Sequence, residues 1–169
     1  CYPEYFCKEI KPFISDKHFQ VISKDLTPSF EMKRKIGEND SHLCEIVRND
    51  LIDDFVRYAS EYKLTSISLI DNSIFETNSL LVWTDVRLIE YAAFFGSLKI
   101  FKYLHKKIDE SIKYRIKEFA IHSRNNELIR FLEDNGYKLN NLYRRAIICH
   151  HNDLADYIGN KYLNKIDID

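Results

Sequence analysis

The stretch Leu88-Ile89-Glu90-Tyr91-Ala92-Ala93-Phe94-Phe95-Gly96-Ser97-Leu98-Lys99-Ile100-Phe101-Lys102-Tyr103-Leu104 decides the fold. An apolar run stops at the polar pair Gly96-Ser97. Beyond it Ile100, Phe101 and Leu104 recur at j, j+1 and j+4, the spacing that puts three side chains on one stripe of an α-helix. The reading is therefore helix, tight turn, helix.

The same pattern recurs along the chain. Twenty-eight residues on come Ala120-Ile121-His122-Ser123-Arg124-Asn125-Asn126-Glu127, then Leu128, Ile129 and Leu132. A further 26 on come Ala146 to Asp153, then Leu154, Ala155 and Ile158. A weaker copy runs from Leu43, with Leu51, Ile52 and Phe55 at the matching places. The turns hold Asn49-Asp50, Asn126-Glu127 and Asn152-Asp153, residue types that cap a helix N-terminus. One helix pair cannot bury both its apolar faces, so the copies should stack.

These signals predict helices over 86–95, 98–107, 111–123, 126–135, 139–149 and 152–163, with Asn135-Gly136 as a helix stop. Upstream, helices are expected over 3–14, 17–24, 28–37, 41–48 and 50–62. Residues 63–85 are rich in Ser, Thr and Asn and read as a long loop, with a short extended piece at Ser66–Ile70. The expected organisation is a helical N-terminal segment over 1–40 and a repeat array over 41–169. The fold class is all-α, built of stacked antiparallel helix pairs.

Composition agrees. Of 169 residues, 45% are apolar and 30% charged, which permits a packed core and argues against wholesale disorder. Four glycines and three prolines are too few for a turn-rich β-sandwich or a phosphate-cradling loop. The net charge of -1 favours no charged partner. Cys1, Cys7, Cys44 and Cys149 form no C-x-x-C pair, so reduced thiols in an intracellular, cytoplasmic protein are expected. There is no run of eighteen apolar residues, so no membrane partner is expected. The chain opens on Cys1 and reads as a fragment or a trimmed chain.

The run 88–104 resembles the ankyrin repeat, whose pattern there is Ala-Ala, two variable residues, Gly, and an aliphatic second helix. More narrowly, Ser73-Ile74-Phe75-Glu76-Thr77-Asn78, the Tyr91–Tyr103 run and Cys149-His150-His151-Asn152-Asp153 are similar to an uncharacterised ankyrin-associated domain expanded in parasitic protists, over roughly residues 40–160. The family's Thr-Pro-Leu-His opening is replaced by Arg87-Leu88-Ile89-Glu90, in which only Ile89 fits. The spacings also fall short of the family's usual length, so the β-hairpin fingers should be stunted or absent. The resemblance implies protein–protein interaction through the first-helix face. It nominates Tyr91, Phe94, Phe95, Phe119, His122, Arg145 and Ile148 as partner-binding residues.

No chemistry competes with that reading. Cys149-His150-His151 has no second Cys/His pair to complete a tetrahedral zinc site, so no metal is expected. No local signature pairs a cysteine with one of the six histidines; a Cys–His hydrolase is one alternative. Asp53-Asp54 and Asp109-Glu110 are adjacent and point apart on a helix. Phosphate and dinucleotide motifs are missing, so neither catalysis nor a cofactor is expected. Lys99, Lys102, Lys106, Lys107, Lys113, Arg115 and Lys117 form a basic strip that no recognised nucleic-acid motif accompanies, in a chain that is not basic as a whole, so it is expected to be a solvated face and not a nucleic-acid site. The remaining alternative is a purely structural segment of a larger repeat protein.

Overall fold

The computed structural model describes residues 3–25, 27–82, 84–106 and 108–163. Among these residues the fold is all-α, with no strand and one isolated antiparallel bridge, Leu69 to Arg87. The helices are α1 (Cys7–Ile10), α2 (Asp16–Ile22), α3 (Pro28–Ile36), α4 (His42–Arg48), α5 (Ile52–Glu61) and α6 (Ser79–Val82). They continue with α7 (Leu88–Phe95), α8 (Leu98–His105), α9 (Lys113–Ala120), α10 (Asn126–Asp134), α11 (Tyr143–Ile148) and α12 (Asn152–Ile158). None is long and apolar enough to cross a membrane.

Several predicted helices are shorter than their apolar patterns. Residues 3–14 break into 3-10 turns at Pro3–Phe6 and Lys11–Phe13 around α1, because Pro12 has no N–H to continue the helical ladder. The 111–123 helix is α9 flanked by 3-10 turns at Glu110–Ile112 and Ile121–Ser123, and 152–163 is α12 followed by a π turn, Gly159–Leu163. The 63–85 loop contains α6, where Asn78 caps a single turn by accepting from the Leu80 N–H at 3.0 Å. Lys107, placed at the end of a predicted helix, lies outside the described residues.

The chain forms two compact units. One is Cys1–Glu45 with Asp71–Asp85, the other Ile46–Ile70 with Val86–Asp169. In the first, Thr27 caps α3 by accepting from the Phe30 N–H, Pro28 opens it, and Gly37 closes it with φ 72°. The returning segment 71–85 then docks on that end. Thr77 donates from both N–H and hydroxyl to the Gly37 carbonyl, Asn39 donates to the Asp71 carbonyl at 2.7 Å, and Phe75 meets Phe30 edge-on.

The second unit takes in the last turn of α4, residues 46–48, paired with α5, and then the helix pairs α7 with α8, α9 with α10, and α11 with α12. Each pair turns on one left-handed residue: Asp50 (φ 50°), Gly96 (φ 70°), Arg124 (φ 53°) and His150 (φ 56°). In every case the second helix begins two residues later, at Ile52, Leu98, Asn126 and Asn152. At three of the turns the N–H of the left-handed residue bonds to Val47, Ala93 or Ile147, and the next N–H to Ile46, Ala92 or Ala146. With the turns aligned, the stripe residues Ile100, Phe101, Leu128, Ile129, Leu132, Ala155 and Ile158 are buried.

This common register corrects the earliest copy. Leu51 is 42% exposed, and the residue matching Ile100 is Asp54, so the sequence alignment had slipped by three. Leu51-Ile52-Phe55 imitates the stripe, but only Phe55 is buried. The caps move as well. Asp50 caps α8 of the following pair, accepting from the Lys99 and Ile100 N–H groups at 3.0 and 2.9 Å. Asn125, not Asn126, caps α10.

Each turn is laced to the next. Ser97 donates to the Val47 carbonyl, Asn125 to the Gly96 carbonyl at 2.8 Å, and Arg124 to His151 Nδ1 at 3.1 Å. Gly96 is required twice over. Its φ is positive, and a Cβ there would meet the Cβ atoms of Ser123 and Asn125 at 3.0 Å. Gly96→Ala should therefore lose about 1–3 kcal/mol. His150→Gly, which removes an exposed side chain from a left-handed position, should leave stability equal or up to ~1 kcal/mol higher. Urea unfolding of both variants checks the contrast.

Candidate functional site

The first helices α4, α7, α9 and α11 bring two parallel rows of side chains together. The first row is ionic. Glu90 is the third residue of α7 and is fully buried. Its Oε2 accepts from the Arg87 N–H at 2.9 Å, closing the helix start, and Arg87 Nη1 reaches Oε1 at 2.9 Å. From α9, Arg115 donates to both carboxylate oxygens, Nε to Oε1 at 3.0 Å and Nη2 to Oε2 at 3.1 Å. This fork is the strong form of a charge-assisted bond. One repeat later Glu118 takes the Glu90 place, accepting from Arg145 of α11 at 3.1 Å and from the Tyr114 hydroxyl at 2.9 Å.

The second row lies one helical turn further along, at Phe94 and His122. The Arg48 guanidinium stands over the Phe95 ring at 5.9 Å, and Phe95 meets Phe94 edge-on at 5.0 Å. Phe94 stacks on His122 with centroids 5.0 Å apart and planes 20° from parallel. Cys149 Sγ then lies 3.7 and 3.8 Å from the two ring nitrogens of His122. The result is a stripe of stacked and edge-on rings running from Arg48 to Cys149, half-open to solvent along Phe94, Phe95, His122 and Cys149.

The nominated residues divide accordingly. Phe94, Phe95 and His122 are together in the stripe. Ile148 is 59% exposed at the end of α11. Arg145 is accessible but engaged with Glu118. Tyr91 and Phe119 leave the set: they are 1% and 2% exposed and cannot touch a partner. Tyr91 is held from the preceding pair, where Arg48 donates to its hydroxyl at 2.9 Å, and Phe119 lies under Phe94 and the Arg115 guanidinium. Residues missed in the sequence are Arg48, Glu90 and Glu118; the recurrence of Glu at a spacing of 28 was the available signal.

The His122–Cys149 pair has the residue types of a nucleophilic couple but the wrong electrostatics. Burial pushes the Cys149 thiol up, against the pull of Arg145. Burial, with Arg145 and His151, holds His122 below its ordinary value. Both shifts favour the neutral pair over the thiolate–imidazolium that nucleophilic attack needs. The near-equal sulfur–nitrogen distances also align the thiol with neither nitrogen.

His151 Nδ1 is occupied by Arg124, and among the described residues no three His, Cys, Asp or Glu side chains converge on a metal position. The basic strip is largely spent within the fold. Lys102 covers Phe131, Lys106 covers Tyr103, Lys113 pairs with Glu110, Arg115 with Glu90, and Lys117 donates to the Lys138 carbonyl and Asn141. Of the other two cations of the strip, Lys99 is exposed and Lys107 is outside the described residues.

Comparison with protein-family models, curated proteins and solved structures finds no match to this chain.

Arg115→Ala should destabilise by about 2–4 kcal/mol, because a fully buried carboxylate loses its bidentate partner. Arg57→Ala, at the exposed pair with Asp54, should cost under ~0.5 kcal/mol; chemical denaturation of the two variants measures the difference. The histidine shift has a definite sign. A His122 held below 6.5 when folded is protonated more readily unfolded, so its contribution is complete above pH 6.5 and is lost as pH falls below it. The melting temperature should drop between about pH 7 and about pH 5.5, with a shallower slope in His122→Gln.

Proposed function

We propose that this chain is a protein–protein interaction module, a degenerate ankyrin-type array of stacked helix pairs without β-hairpin fingers, and that it carries out no catalysis and uses no cofactor. The observation that carries the reading is the half-open stripe Phe94, Phe95, His122 and Cys149, which crosses three helix pairs on the first-helix side. Aromatic side chains on a rigid scaffold supply the few contacts that dominate most interfaces. Here the ionic row beneath them holds the helices that present them.

Three features support the ankyrin-type stack. The four turns share one register, with each second helix starting two residues after a left-handed residue. Ala92, Ala120 and Ala146 are all fully buried at the same place in the first helix, where small side chains allow close approach. No strand lies between the pairs among the described residues, which suits contact through the helix face. A protein partner is favoured over nucleic acid because most cations of the basic strip are committed to rings and carboxylates. The setting that goes with this reading is intracellular and cytoplasmic.

Affinity capture from native lysate with the parent and with Phe94→Ala and His122→Ala, each checked for retained helicity, tests the proposal. Both substitutions should weaken capture of the same partner about ten-fold or more, whereas Ile67→Ala, on the exposed 63–70 segment, should not. Normal binding by the two stripe variants, with loss in Ile67→Ala, would move the site to the loop.

A further inference from the structure

The common turn register makes equivalent positions in the four pairs comparable, and one of them changes character in the fourth pair. Val47, Ala93 and Ile121 occupy one place, three residues before the left-handed residue, and are 0%, 0% and 1% exposed. The following pair covers each of them: Ser97 binds the Val47 carbonyl, α9 packs on α7, and Ile121 lines a recess with His150 and Leu154. The fourth member of the set is Ile147, which is 46% exposed, and its neighbour Ile148 is 59% exposed. Ile147 thus stands open at a position whose other three copies are buried by a helix pair, while Ile148 holds the half-open place of Arg48, Phe94 and His122.

The charges on this face identify what fits it. The place held by Glu90 in α7 and Glu118 in α9 is held in α11 by Arg144. In the earlier pairs that glutamate receives an arginine from the next first helix, so another pair of the same pattern would set arginine against arginine. On α12, the place of Lys102, which reaches over Phe131 of the next pair, is held by Asp156. Arg144 and Asp156 are both exposed. They lie six residues either side of His150, hence at one level on two antiparallel helices. A two-fold axis parallel to α11 and α12 superposes the first helix of one molecule on the second helix of the other and keeps that level. Arg144 then faces the other copy's Asp156, twice. A face with one cation and one anion so placed is complementary to itself, as an isologous interface requires.

We propose that the α11–α12 face is a self-association surface occupied by a second copy of this chain, with Ile147 at its centre and two reciprocal Arg144–Asp156 pairs at its rim. The two helices that present the face have only six and seven residues, so the dimer is a weak one, in exchange with monomer.

Sedimentation velocity and equilibrium runs on the full chain across micromolar to millimolar concentrations test this. The parent should shift from monomer to dimer with rising concentration. Ile147→Asp, at a site already open to solvent, should stay monomeric with an unchanged circular dichroism spectrum. Arg144→Glu and Asp156→Arg should each weaken association about ten-fold or more, and the double variant Arg144→Glu/Asp156→Arg should recover it. A parent that is monomeric throughout overturns the proposal. So does a dimer that survives Ile147→Asp, or a double variant as weak as the singles. An outcome in which the face binds only a different protein also counts against it.

Discussion

A carboxylate with no exposure to water is the constraint around which the helix pairs are organised. Taking Glu90 out of solvent costs several kcal/mol unless its oxygens are fully used. The chain uses them by closing the start of α7 through the Arg87 N–H and by drawing in the Arg115 fork from α9. A local requirement, capping a helix, thereby becomes a long-range one, since the second guanidinium must come from the next pair. Glu118 and Arg145 repeat the arrangement at the next junction in a half-open version. The apolar stripes of the second helices supply most of the driving force, but stripes of similar residues slide. The charged junctions do not, because a slip leaves a buried carboxylate without its arginine.

The same geometry explains why the aromatic stripe stays open. Glu90 and Phe94 are four residues apart, as are Glu118 and His122, so each glutamate turned into the stack places a ring one turn along on the same side. The rings then pack on one another, stacked at Phe94 and His122 and edge-on at Phe94 and Phe95, and stay half-open to solvent. Tyr91 is the exception because Arg48 reaches it from the preceding pair, spending its hydroxyl inside the fold.

Much of this was legible in the sequence, and the limits have physical causes. Helix pairs were readable from j, j+1, j+4 periodicity, and the turn at Gly96 from its glycine. The turns at Asp50, Arg124 and His150 have no such marker, since a non-glycine residue in left-handed backbone looks like any other polar residue. The first copy slipped because Leu51 and Ile52 imitate a buried stripe, while the register is set by Asp50, whose side chain serves a helix almost fifty residues away. Phe94, Phe95 and His122 were found through the ankyrin resemblance. Glu90 was passed over because a charged residue in an apolar helix carries no sign of whether it faces water. Its burial depends on an arginine one repeat ahead.

The stem formed by residues 66–70 and 86–89 has a consequence for how the chain is made. Ile70 donates to the Val86 carbonyl at 2.8 Å, and Leu88 to the Ser68 carbonyl at 2.8 Å, so the two ends of segment 71–85 are clasped side by side. That segment completes the first unit, whose other part is the first 45 residues. During synthesis from the N-terminus, those 45 residues emerge with Phe30, Gly37 and Asn39 still lacking Phe75, Thr77 and Asp71. They must wait while α5, which belongs to the other unit, is produced. Once the stem closes, it shortens the search by holding both ends of the missing piece together, which lowers the entropy lost in docking it. The order of assembly is thus written into the threading: neither unit is contiguous, and the one that holds residues 1–45 can close only after residues 46–70 of the other have been made.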